Sequence, residues 1–195
     1  RENEDGLKQY AEEGREIQLA QTGAMVAMDP YTGRVLGMVS IPQFDLSMFN
    51  DGKVDPTLWN QVLEGENPLL NRAIGTKDAP GSIFKLCTAL GGLSEGVITT
   101  DEIINDRAEG FTETNADRPA KCWTSTPEDH QNQNLEKALK NSCNMYFYTV
   151  GYRLGIERLY QWAAALGLTS KTNIELPGEA TSFVGNQHML YDPEN

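Results

Sequence analysis

Two short apolar runs around a single turn constrain this chain more than any other feature. Ala24-Met25-Val26-Ala27-Met28 and Arg34-Val35-Leu36-Gly37-Met38-Val39-Ser40 flank Asp29-Pro30-Tyr31-Thr32-Gly33. Runs of strand length on either side of a Pro and Gly turn predict an antiparallel β-hairpin over 22–41. Both faces of each run are largely apolar, so the hairpin is expected to be covered on both sides. Farther along, the period changes to that of helices. Ile83, Phe84, Leu86, Cys87 and Leu90 predict a helix from Ile83 to Leu93. Pro80-Gly81-Ser82 offers it a turn and a capping hydroxyl, and Gly91-Gly92 is read as its stop. Leu135 to Lys140, Met145 to Arg153 and Ile156 to Leu166 read as three more helices, the first two meeting at Asn141-Ser142-Cys143-Asn144. One hairpin with a helical majority is an α/β chain of the α+β kind.

The remaining segments complete the organisation. Residues 1–21 are polar, with Leu7, Tyr10, Ile17 and Leu19 near helical spacing, and predict an amphipathic leading helix interrupted at Gly14. The stretch from Pro42 to Pro80 is too long for a structureless loop, so short helices should break it up. Asp101 to Pro127 is polar and loop-like, and Asn173-Ile174-Glu175-Leu176 reads as extended. The 195 residues are thus expected to form one domain or part of one: a leading helix 1–21, a hairpin 22–41, a mostly helical lobe 42–170 and an extended return segment 171–195.

Charge excludes one class of partner. Lys and Arg total 16 against 28 Asp and Glu, a net charge of −12, which would repel a phosphate backbone; no nucleic-acid partner is expected. The opening Arg1-Glu2-Asn3-Glu4-Asp5 lacks the layout of a signal peptide, and no apolar run approaches the roughly 20 residues that span a bilayer. Three cysteines, Cys87, Cys122 and Cys143, permit at most one internal disulfide.

Ser82-Ile83-Phe84-Lys85 carries the first candidate chemistry. Positions three apart share a helix face, so the Lys85 amine is expected to reach the Ser82 oxygen. A serine hydroxyl needs a neighbouring base, and a lysine desolvated by Phe84 and Leu86 can have its pKa lowered enough to serve. Taken alone, the spacing equally describes a capping serine beside a solvated lysine. Ser142-Cys143-Asn144 would point a hydroxyl and a carboxamide from one loop into one cleft, or would simply cap the next helix.

Taken together these segments resemble the transpeptidase domain of class B penicillin-binding proteins, of the penicillin-binding protein 2 type. The resemblance rests on Ala79-Pro80-Gly81-Ser82-Ile83-Phe84-Lys85 and Lys140-Asn141-Ser142-Cys143-Asn144-Met145-Tyr146-Phe147-Tyr148. The hairpin with its turn, Pro42-Gln43-Phe44-Asp45, Asn71-Arg72-Ala73, Cys122-Trp123 and Gly155-Ile156 extend it in the same order. It implies the penicillin-binding protein and β-lactamase-like fold, with the hairpin in the central antiparallel sheet. It implies Ser82 as the acylated nucleophile, Lys85 as its proton acceptor, Ser142 as a proton bridge, and Ser142 with Asn144 as substrate contacts. It further implies peptidoglycan stem peptides as substrates, β-lactam antibiotics as acylating agents, no cofactor, and a membrane cell-wall synthesis complex as the setting. Such a protein works at the extracytoplasmic face of the bacterial membrane, held by an anchor upstream of these residues.

One departure is plain. The family's third motif, Lys-Thr-Gly, occurs nowhere in the 195 residues; Lys171-Thr172-Asn173 follows Ser142 too closely and lacks the glycine. That strand supplies an oxyanion donor in the family, so these residues alone are expected to be a weak or inactive catalyst. A β-lactamase or β-lactam sensor of the same fold, and a non-catalytic scaffold relative, are the competing readings. Cys122, His130, Asp117 and Asp129 include zinc-ligand types, but their spacing fits no zinc pattern and no metal is expected. The Cys143 thiol is expected to point away from the cleft.

Overall fold

The computed structural model describes residues 20–114 and 117–186; the helix expected over 1–21 falls almost wholly outside them. The chain forms two compact units, dividing at Thr76 and Lys77, with Leu176–Ala180 returning to the first.

In the first unit, β1 (Gly23–Met28) pairs antiparallel with β2 (Val35–Ile41), from Gly23 opposite Ile41 to Met28 opposite Val35. The turn is built by Asp29, whose carboxylate accepts the Tyr31 N–H at 2.9 Å and the Thr32 hydroxyl at 2.7 Å. Those two bonds, Thr32's first, hold the Asp29 carboxyl below its ordinary range. Gly33 closes the turn at φ 70°, a value that favours glycine, and donates its N–H to the Asp29 carbonyl. The expected cover on both faces is not found, and Met25 and Leu36 are 71 % and 70 % exposed. Among the described residues the sheet has only these two strands, and such a ribbon has no layer to bury both faces. What does pack on it is α2 (Arg72–Gly75), tied by Ser40, whose hydroxyl donates to the Leu70 carbonyl and accepts the Arg72 N–H, both at 3.0 Å. Short helices do break up the stretch after Pro42. A 3₁₀ segment covers Leu46–Gly52, and α1 (Pro56–Glu64) starts where the Asp55 carboxylate accepts the N–H groups of Thr57 and Leu58.

In the second unit a 3₁₀ turn, Gly81–Phe84, leads into α3 (Lys85–Ser94), followed by α4 (Leu135–Lys140) and α5 (Asn144–Ala165). The core is built by Ile98, Phe111, Leu135, Met145, Tyr146 and Val150. Gly91-Gly92 does not stop its helix, which runs on to Ser94. The pair instead lets α3 approach α5: a Cβ at Gly92 would stand 2.7 Å from Val150 Cγ1, and one at Gly91 3.0 Å from Trp162 Cδ1. The two helices read from 145 to 166 both form and follow one another along α5, parted at Gly155, whose φ of 74° and ψ of 159° no helix contains. No strand forms at residues 173–176. Among the described residues no helix is long and apolar enough to cross a membrane.

Candidate active site

Ser82 sits in the 3₁₀ turn and Lys85 begins the α-helix that continues it. The serine does not cap that helix. Its Oγ lies 2.9 Å from Ser142 Oγ, so the hydroxyl faces the turn between α4 and α5. The Lys85 amine makes three hydrogen bonds, to the Ser142 carbonyl at 2.7 Å, Ser142 Oγ at 2.9 Å and Asn144 Oδ1 at 2.7 Å. The contact expected directly between Lys85 and Ser82 is therefore relayed by the Ser142 hydroxyl. The reason is a matter of acceptors: the 142–144 turn offers the amine a carbonyl, a hydroxyl and a carboxamide, where Ser82 offers one hydroxyl.

Lys85 is half-buried, and the Phe147 ring lies with its centroid 5.7 Å from the amine. Burial pulls its pKa below the ordinary 10.5, opposed by the neighbouring Cys122 and Cys143. The amine is thus biased toward the neutral form that can accept a proton.

Local geometry explains why Ser142 can face both partners. Asn141 is the C-cap of α4, the Ser142 N–H donates to the Leu139 carbonyl, and the Cys143 N–H donates to the Ala138 carbonyl at 2.9 Å. This is a Schellman termination, with Ser142 where glycine is usual and at φ 51°. An L-residue there is strained by about 1–2 kcal/mol. Strain held at a residue that links two candidate reactive groups points to a requirement for its hydroxyl.

The turn is braced from outside by residues whose positioning role the sequence did not disclose. Cys122 Sγ accepts the Asn144 N–H at 3.2 Å and lies 3.1 Å from His130 Nδ1. Trp123 donates its Nε1–H to the Asn141 carbonyl at 3.1 Å, and its ring meets that of His130 edge-on at 5.4 Å. Cys143 is fully buried; burial, above all, pushes its thiol up to about 11. The ligand atoms of Cys122, His130 and Cys143 all lie within 4.8 Å of one another. Two sulfurs and an imidazole form a donor set suited to zinc or a similarly soft divalent ion. Spacing along the chain fits no zinc pattern, and the fold adds Cys143 to the candidates Cys122 and His130. Asp117 and Asp129 take no part in the cluster; an Asp129 oxygen accepts the Thr124 hydroxyl instead. The opposite side of α3 lines an open apolar cleft of about 790 Å³ with Ile83, Leu86, Cys87, Leu166 and Phe183.

A serine is thus joined through a second serine to a half-buried lysine whose pKa is lowered, all on one helical unit. Residues 23–192 match the penicillin binding protein transpeptidase domain, and the chain belongs to that family. It is 34 % identical over 166 residues to the peptidoglycan D,D-transpeptidase MrdA of Acinetobacter baumannii, covering 84 % of this chain and 24 % of that protein. Among solved structures, the complex of Helicobacter pylori penicillin-binding protein PBP2 with MreC aligns at TM-score 0.79 and 27 % identity, over 98 % of this chain and 34 % of that one. The ceftriaxone acyl-enzyme of Mycobacterium tuberculosis penicillin-binding protein A aligns at TM-score 0.73 and 31 % identity, over 84 % and 37 %. The fold is the one the resemblance implied. The chain spans about a quarter of the length of the curated relatives it matches.

Proposed function

We propose that these residues carry the nucleophile and proton relay of a serine D,D-transpeptidase that crosslinks peptidoglycan stem peptides. The observation that carries this reading is the continuous path from Ser82 Oγ through Ser142 Oγ to Lys85 Nζ, each step 2.9 Å. Ser82 attacks the carbonyl between the two terminal D-alanines. Its proton passes to Ser142, whose own proton passes to neutral Lys85. The reverse transfer protonates the departing D-alanine amine and leaves an acyl ester on Ser82. An amine from a neighbouring stem peptide then attacks that ester and gives up its proton along the same path. Asn144 Oδ1 accepts from Lys85, which leaves the Nδ2 donors for the substrate's amide carbonyl.

A β-lactam is attacked in the same way, and its ring-opened acyl group stays on Ser82. The acyl-enzyme of the mycobacterial relative supports this step. Neither acyl transfer draws on a cofactor. The same reading assigns the protein to a cell-wall synthesis complex at the extracytoplasmic face of the membrane, and the complex of the Helicobacter relative with MreC supports an assembly of that kind.

Intact-mass analysis of the full-length protein after benzylpenicillin tests the assignment. One adduct mapping to Ser82, and none in Ser82→Ala, is the expected result. An adduct that survives Ser82→Ala refutes it.

A further inference from the structure

We propose that Cys122 and Cys143 are a redox pair whose reversible disulfide forms behind the 141–144 turn when no metal is held there and displaces the relay. Their sulfurs lie within 4.8 Å of each other, so a bond of about 2.0 Å needs side-chain rotation and a small backbone shift. The two thiols are not equivalent. Cys122 is partly exposed and Cys143 fully buried, so an oxidant from solution meets Cys122 first.

The co-reactant is a low-molecular-weight disulfide such as oxidised glutathione. The Cys122 sulfur attacks it, forming a mixed disulfide and expelling one thiolate, which takes up the Cys122 proton. The Cys143 sulfur then attacks Cys122 Sγ, forming the internal disulfide and expelling the second small thiol, which takes the Cys143 proton. The protein loses two hydrogens and two electrons, and the small disulfide becomes two thiols.

The consequence follows from chain position and rests on the proposed role of Ser82. Cys143 lies between Ser142 and Asn144, which together hold the Lys85 amine at 2.7–2.9 Å. The sulfur that must move toward Cys143 is also the acceptor of the Asn144 N–H. Closure therefore drags the turn, and a misplacement near 1 Å in such a site can cost on the order of a hundredfold. A soft metal ion would occupy both sulfurs and protect them. Cys87 lines the apolar cleft on the other side of α3 and serves as a control.

The experiment treats full-length protein, stripped by a chelator, with oxidised glutathione. Intact mass and peptide mapping read the bond, and a fluorescent penicillin reads acylation. The expected result is loss of two hydrogens mapping to Cys122–Cys143 and acylation slowed at least about tenfold, restored by dithiothreitol. Cys87→Ala should behave as wild type, Cys122→Ser should form no internal bond, and zinc added beforehand should block oxidation. A stable glutathione adduct on Cys122 with Cys143 left free, or a bond to Cys87, overturns the pair. A mapped bond with an unchanged acylation rate overturns the displacement. Reduced protein that fails to acylate sinks the Ser82 reading, while the mapped bond still decides whether the pair exists.

Discussion

Replacing Ser142 by glycine and by alanine separates the two things this residue does. Both variants lose the same hydroxyl, and with it the bonds at 2.9 Å to Ser82 and Lys85. They differ only in the Cβ at φ 51°. Alanine keeps a left-handed strain of about 1–2 kcal/mol, whereas glycine relieves it and costs about 0.5–1 kcal/mol more in unfolded-chain entropy. Ser142→Gly should therefore be more stable than Ser142→Ala by about 1 kcal/mol. For a chain of this length that is a difference of roughly 2–4 °C in Tm, which thermal unfolding followed by circular dichroism resolves. Acylation by a fluorescent penicillin should fall in both variants by at least about a hundredfold, the usual worth of a positioned proton-transfer group. A stabilised glycine variant with lost acylation would show that the strain is held for the hydroxyl. Equal stability of the two variants would falsify the strained cap, and full acylation by either would remove Ser142 from the relay.

Three further outcomes are expected. Because burial lowers the Lys85 pKa, acylation should rise with pH to a midpoint below 10.5, and stopped-flow acylation profiles should lose that limb in Lys85→Met. Between the folded pKa and 10.5 the unfolded chain binds more protons, so the Lys85 contribution to stability should increase with pH across that window, as denaturant midpoints would show. Gly92→Ala should destabilise by about 1–3 kcal/mol in urea unfolding, since its Cβ would sit 2.7 Å from Val150 Cγ1. Cobalt added to chelator-treated protein should give a sulfur-to-metal charge-transfer band that Cys122→Ser with Cys143→Ser abolishes; an unchanged band would place the ion elsewhere.

How much of this was legible in the sequence depends on how local each signal is. The hairpin was readable because strand length, turn residues and register all lie within 23–41. Ser82 and Lys85 were readable as a pair because three residues separate them, and Ser142 and Asn144 through family likeness. Ser142 as a proton bridge came with the same likeness, but its place between Ser82 and Lys85 did not, because it lies 60 residues from Ser82 and no local rule says which oxygen the amine prefers. Gly91-Gly92 shows the converse failure. A glycine pair reads as a stop, and only the approach of Val150 and Trp162 shows that it serves close packing. Of the thiol and imidazole cluster, Cys122 and His130 were legible as zinc-ligand types. Cys143 was not, because it comes from a separate segment and only the fold brings its sulfur within 4.8 Å of theirs.

In the proposed mechanism Lys85 takes the part that many serine enzymes assign to a histidine, and the geometry suits it to that part. A charged Lys85 has three N–H donors, matched by the Ser142 carbonyl, Ser142 Oγ and Asn144 Oδ1. In that state the Ser142 hydroxyl donates to Ser82. A neutral Lys85 keeps two donors for the carbonyl and the carboxamide, and its lone pair accepts from the Ser142 hydroxyl, which in turn accepts from Ser82. The same heavy-atom positions satisfy both protonation states, so moving a proton from Ser82 to Lys85 reverses two hydrogen bonds and shifts no atom heavier than hydrogen. A relay that needs no reorganisation between its states is preorganised in the sense that lowers barriers. It also makes the turn intolerant of displacement, since a shift that improves one state's bonds lengthens the other's. That is why the brace from Cys122, Trp123 and His130 belongs to the chemistry of the site, although none of the three joins the path from Ser82 to Lys85.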